Sequence, residues 1–239
     1  MMQQHIVSAF TSELEQLSAN LLRMGGLAEA MIKDAGRAVV SRDAELAQSV
    51  IDRDHEMDRL EQACEREAVR ILALRQPMAS DLRNVIGSIK LADALERIGD
   101  LARNIAVRSI AVGDSDNRAA LRGVERMGQA VSRQLQVALD AYARRDAVAA
   151  LAVVHQDDDI DSHYNALLRA MLVYMVEDPE QLDTRSNFLF IVKNLERIGD
   201  HCTNIAKVVH FIATGQPVAN DYSKISAAPN KDAPNNEDA

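Results

Sequence analysis

Leu95-Glu96-Arg97-Ile98-Gly99-Asp100 occurs twice: the same six residues return as Leu195-Glu196-Arg197-Ile198-Gly199-Asp200. Asn104-Ile105-Ala106 likewise returns as Asn204-Ile205-Ala206, again at an offset of 100. Upstream the offset is 103. It pairs Arg23-Met24-Gly25 with Arg126-Met127-Gly128, Arg42-Asp43-Ala44 with Arg145-Asp146-Ala147, Asp54 with Asp157 and Asp58 with Asp161. A net deletion of three residues near the second interhelix turn reconciles the two registers. A period this long marks two fused copies of one unit rather than a solenoid.

Each unit reads as three helices. Four Phe, four Tyr and no Trp are too few rings for an ordinary β-sandwich or barrel. Ten Gly and five Pro in 239 residues fall below the usual share, as long helices require. Ala, Leu, Glu and Arg, all abundant here, favour helix. In the first unit, helix one is expected from about Ser8 to Ser41. Asp43 caps helix two, which ends near Arg75, and Pro77 breaks the chain. Ser80 or Asp81 then caps helix three, which ends before Gly113. In the second unit Asp146 is the cap, Asp178-Pro179 the break and Gly215 the stop. Only Pro77 and Pro179 precede residue 217, and they fall at the same turn of each unit. The expected fold is therefore all-α: a tandem duplication of a three-helix bundle, with six long antiparallel helices. Residues 1–113 form the first bundle and 114–215 the second. Residues 216–239, rich in Asn, Ala, Pro and Asp, read as a disordered tail.

The third helix of each unit carries an apolar seam, Leu91, Leu95, Ile98, Ala102 and Ile105, matched by Ile191, Leu195, Ile198, Cys202 and Ile205. Three-four spacing of this kind is ordinary bundle packing. Cys64 and Cys202 fall on apolar stripes outside any CxxC pattern and read as structural thiols of a reducing cytosol.

The chemistry lies in the acids. Glu96 and Asp100 are one helical turn apart, and Asp54 and Asp58 make the same pair on helix two; Asp157/Asp161 and Glu196/Asp200 repeat both. If helices two and three are antiparallel neighbours, each bundle offers four carboxylates, on a side nearly opposite the seam. A charge run is ordinarily a solvated helix face, and Arg53, Arg59, Arg97 and Arg103 stand near enough in sequence to neutralise it. Retention of both pairs in both units favours a site instead. Gly99 and Gly199 point the same way, since a mid-helix glycine costs about 1 kcal/mol relative to alanine. Something must approach the backbone there, an ion's ligand shell or another helix. Carboxylates without cysteine suit oxygen-preferring cations: magnesium, manganese, calcium or iron. His155, His163 and His201 occur only in the second unit and read as surface residues, with zinc or iron at that unit as the alternative.

Other functions find little support. A formal charge of −9 opposes nucleic-acid binding. The first twelve residues lack the basic and apolar regions of a secretory signal, and no 18-residue apolar run spans a membrane. There is no nucleophile–base arrangement and no glycine-rich phosphate loop. Carboxylate-bridged di-iron enzymes draw on Glu-x-x-His motifs, and none occurs here. An enzyme is accordingly not expected; a metal-free helical adaptor remains a rival.

The duplicated Leu-Glu-Arg-Ile-Gly-Asp, the paired acidic helices and the turn Arg75-Gln76-Pro77-Met78-Ala79-Ser80-Asp81-Leu82-Arg83 resemble the PhoU family from residue 5 to about 214. That resemblance implies two three-helix bundles and metal clusters on Glu/Asp-x-x-x-Asp motifs. Carried over, the metal ligands are Asp54, Asp58, Glu96, Asp100, Asp157, Asp161, Glu196 and Asp200. It also implies a homodimer or larger assembly. The implied role is a cytoplasmic negative regulator acting between the phosphate transporter's ATPase subunit and the sensor histidine kinase. The second unit departs from the turn, having Val176-Glu177-Asp178-Pro179 in its place.

Helix three also carries a second apolar line, Leu82, Ile86, Ile89 and Val107, on the carboxylate side, more than a three-helix core requires. We expect self-association at micromolar concentration. Sedimentation that finds only a 26.3 kDa species would count against it.

Overall fold

The computed structural model describes residues 2–112, 118–177 and 182–218, less the side chains of residues 2–8, 157, 158, 174, 176, 177 and 182–184. All regular structure among them is helical: α1 (Met2–Ser41), α2 (Ala44–Arg75), α3 (Ala79–Val112), α4 (Arg118–Arg144), α5 (Ala147–His155), α6 (Asp157–Glu177) and α7 (Leu182–Thr214). The tandem all-α fold is present. The Asp178-Pro179 break, Gly113 and the tail beyond Val218 lie outside the described residues.

Local chemistry sets the turns. Asp43 sits in extended backbone and its carboxylate accepts from Leu46 N; Asp146 does the same for Val148 N and Ala149 N. The residues just before them, Arg42 and Arg145, both take the left-handed conformation. Asp43 N and Asp146 N then reach back to Ala38 O and Ala141 O. This is a Schellman closure feeding directly into an N-cap, built on the same plan in both halves.

Three boundaries differ from expectation. α1 starts at Met2 rather than Ser8, because nothing in Met2–Val7 breaks a helix. α3 starts at Ala79, ahead of both expected caps, so Asp81 lies in the first turn, where its charge complements the helix dipole. The second unit's middle helix is interrupted at Gln156, whose N–H is shared between Ala152 O and Val153 O. The run Asp157-Asp158-Asp159 supplies the reason: three consecutive acids are better placed at a helix N-terminus than inside a helix.

The ten seam residues of α3 and α7 are all buried. Each such side chain contributes roughly 1.5–3 kcal/mol. The two bundles do not keep separate interiors; one continuous apolar core runs through both. α3 packs along α7 and α1 along α4. The α3–α7 pair is antiparallel: Gly87 faces Ile212, Arg83 faces Gly215, and Arg108 donates to Asn187 Oδ1 at 3.1 Å. Both thiols are buried, as the apolar stripes required, and neither forms a disulfide.

The α1–α4 contact shows where the duplication is imperfect. A Cβ on Gly25 would meet Leu139 Cδ1 at 2.6 Å, so leucine fills the space that glycine leaves. In the repeat-related contact Gly128 should meet the counterpart of Leu139, which is Gly36, and neither glycine has a neighbour there. A cleft of about 750 Å³ opens between α1 and α4 as a result, floored by Ile32, Val40 and Leu46. Gly36→Ala should raise stability by about 1 kcal/mol through helix propensity, and Gly36→Leu should raise it further by refilling the cleft. Thermal unfolding of both variants tests this, and a Tm at or below the parent's for both would contradict it.

Candidate metal centre

The recurring glycines bring α2 and α3 together. A Cβ on Gly99 would stand 3.1 Å from Met57 Cγ, and one on Gly199 would stand 3.2 Å from Ile160 Cδ1. Met57 and Ile160 are themselves repeat counterparts. What approaches the backbone is therefore the neighbouring helix. Asp54 and Asp58 flank Met57 in sequence, as Glu96 and Asp100 flank Gly99, so the same close contact lines up the four acids of the first half.

Their electrostatics show the grouping. Asp54 is held above its ordinary value by burial, against the pull of Arg103, with Asp58 and Asp100 adding to the rise. Burial also raises Glu96; Arg97 opposes this, and Asp100, Asp58 and Asp54 reinforce it. Arg103 ties the helices together, 3.3 Å from Asp54 Oδ2 and 2.9 Å from Asp100 Oδ1, while Asn104 donates to Asp100 Oδ2. Of the other arginines, Arg97 stands 3.5 Å from Glu96 Oε2, but Arg53 turns to Asp34 on α1 and Arg59 to the carbonyl of His55.

The glutamates are less solvated than a position opposite the seam implies. The Glu96 side chain is only 17% exposed and the Glu196 side chain 13%. Oε2 of each is buried without a hydrogen-bond partner, at equivalent places in the two halves. Asp100 and Asp200 are more open, Asp161 is half-buried, and the Asp157 side chain lies outside the described residues. Among the described residues, no three His, Cys, Asp or Glu side chains converge closely enough to hold an ion as they stand. The donor chemistry, with a buried carboxylate oxygen of Glu96 left without a hydrogen bond, fits an oxygen-seeking cation in the first half once neighbouring acids turn towards it; at Glu196 the Lys193 ammonium already stands 2.7 Å from the equivalent oxygen.

Three participants escaped the sequence reading. Glu61, one turn beyond Asp58, is pushed up to about 7 by burial and by Glu96, Glu65 and Asp93. Asp93, one turn before Glu96, is the second. The third is Lys193, whose Nζ lies 2.7 Å from the Glu196 carboxylate and 5.2 Å from the Tyr164 ring centre. Burial opposes its charge, yet the hydrogen bond and charge of Glu196, with Tyr164 and Asp200, raise its pKa. Helical spacing alone would find all three. Comparing the repeats hides them, since Glu61 corresponds to Tyr164 and Asp93 to Lys193. His201 is not a surface residue. It is half-buried and held below its ordinary value by burial and by Arg197 and Arg97, with Asp93 of α3 opposing. His155 and His163 are exposed.

The PhoU domain model matches the chain twice, over residues 21–108 and 124–209. A phosphate-specific transport system accessory protein PhoU homolog from Caulobacter vibrioides is 43% identical over 225 residues, covering 94% of this chain and 98% of the relative. Its counterpart from Rhizobium meliloti is 46% identical over 212 residues, covering 88% and 90%. The crystal structure of PhoU from Pseudomonas aeruginosa is 41% identical, superposes with a TM-score of 0.83 and covers 87% of this chain and all of that one. The phosphate transport system regulatory protein PhoU from Streptococcus pneumoniae, 30% identical, gives 0.80 over 88% of this chain and 99% of that one.

Glu61 also gives a pH test. Its folded value of about 7 lies above the ordinary glutamate value of 4.5. Ionising it therefore costs folded stability: the cost is negligible well below the unfolded value, grows as pH rises between the two, and is complete above the folded one. Glu61→Gln should raise the Tm slightly at about pH 5 and clearly at about pH 8. A pH-independent difference would show that Glu61 does not feel the cluster.

Proposed function

The chain belongs to the PhoU family, and from that premise we propose that it is a cytoplasmic negative regulator of the phosphate-starvation response and a modulator of phosphate uptake. The observation that carries the reading is the match of the family model to both halves, with relatives named as accessory or regulatory proteins of phosphate transport. It acts by contact, as a homodimer, on the ATPase subunit of the phosphate transporter and on the sensor histidine kinase. No helix among the described residues is long and apolar enough to cross a membrane. Two similar helical units in one chain suit a scaffold that engages two partners, since linked contacts raise avidity without a new contact type. Leu82, Ile86 and Val107 remain exposed on α3 beside the acids, which supports an interface there.

The acids of α2 and α3 (Asp54, Asp58, Glu96, Asp100) and those of α6 and α7 (Asp157, Asp161, Glu196, Asp200) are the proposed ligands for divalent or transition ions: magnesium, manganese, calcium, iron or zinc. A bound cation supplies positive charge that cancels repulsion among the acids, and so holds each pair of helices in register. Catalysis plays no part in this reading.

In a deletion strain grown with abundant phosphate, alkaline phosphatase should rise, and the intact gene should restore repression. The Asp100→Ala/Asp200→Ala variant, expressed and helical, should bind less metal and fail to restore repression. Unchanged low phosphatase in the deletion strain, with no second copy of the gene, would refute the regulatory role. Full repression by the variant would separate metal from regulation.

A further inference from the structure

The two acidic faces descend from one ancestral unit, yet they no longer carry the same charge. In the first half Asp54, Asp58, Glu61, Asp93, Glu96 and Asp100 share one field. Arg103 stands against Asp54 and Asp100, and Arg97 against Glu96. In the second half the counterparts of Glu61 and Asp93 are Tyr164 and Lys193. Two acids have become a neutral ring and a cation. The Lys193 side chain is 45% exposed, but its ammonium is tethered. It hydrogen-bonds Glu196 Oε1 at 2.7 Å, lies equally near Oε2, and is packed over the face of Tyr164. A cation over an aromatic face is electrostatically favoured and is held there.

From this we infer that Lys193 is a built-in counter-ion occupying the cation's place in the second acidic face, so that exchangeable divalent ions are taken up by the first half alone. The inference rests on the metal reading given under Proposed function and narrows it, replacing the divalent ion of the second face by the Lys193 ammonium. A strongly hydrated ammonium on Glu196 repels an incoming divalent ion and uses the carboxylate that such an ion needs. The first half places Asp93 where the second has Lys193, and the cation beside Glu96, Arg97 Nε, stands 3.5 Å from Oε2, against 2.7 Å from Lys193 Nζ to Glu196 Oε2. The asymmetry gives the halves different tasks: one face held together permanently, the other dependent on an ion.

The test uses the full chain, stripped with chelator, dialysed and titrated with manganese(II), with bound metal counted by element analysis and helicity followed by circular dichroism. Asp100→Asn should lose essentially all the manganese that the parent binds. Lys193→Met, which removes the charge and keeps the bulk, and Lys193→Asp, which restores the first half's pattern, should each roughly double bound manganese. Adding Asp200→Asn to either should remove the gain. The inference is overturned if Asp100→Asn retains about half of the parent's metal, or if both Lys193 variants are helical and bind no more than the parent. If neither the parent nor any Lys193 variant binds manganese, the metal reading itself fails and the inference with it.

Discussion

The antiparallel packing of α3 on α7 is the constraint on which the molecule depends. These are the two copies of one helix, and each must bury its seam within its own bundle. Each must also meet the other along a second face, where Gly87 receives Ile212 and Arg108 reaches Asn187. Two buried faces leave a helix one side on which charge is tolerable. That side carries Glu96 and Asp100 in α3, and Glu196 and Asp200 in α7. The acids therefore collect against α2 and α6 because no other direction is open to them.

The approach of α2 to α3 completes the arrangement. Glycine at 99 and 199 admits Met57 and Ile160 to ordinary core depth, which draws the backbone of the acidic helices together. The same closeness makes the acids expensive, since burial is the main cause that raises Asp54, Glu61 and Glu96. Two forces pull against each other here: packing rewards the approach, and Coulomb repulsion opposes it. Arg103, bridging Asp54 and Asp100, offsets part of that repulsion in the first half. Lys193 does so in the second.

Duplication explains the shared architecture, and the departures from it are local. Leu139 fills the α1–α4 contact at Gly25, whereas Gly36 leaves the repeat-related one open. Gln156 interrupts one middle helix and nothing interrupts α2. A fused pair of units is free to diverge in this way, because a continuous core joins them and each no longer has to be stable alone.

Much of this was settled by sequence. Helix periodicity, scarce glycine and proline, and two Asp caps in matching turns dictate an all-helical duplicated fold, because those signals act over a few residues of chain. The seam from Leu91 to Ile105 and its copy from Ile191 to Ile205 are buried as their spacing required. Other features were decided only when the helices met. That Gly99 makes room for Met57 rather than an ion's ligands depends on the distance between two helices, which spacing within one helix does not contain. The near-burial of Glu96 and Glu196, the coupling of Glu61 to Asp93, and the placing of Lys193 over Tyr164 are likewise cross-helix or burial effects. His201 looked like a surface residue until α3 packed beside it. Local sequence specifies which groups a helix carries, and only tertiary packing fixes how dry they are and which charges they face.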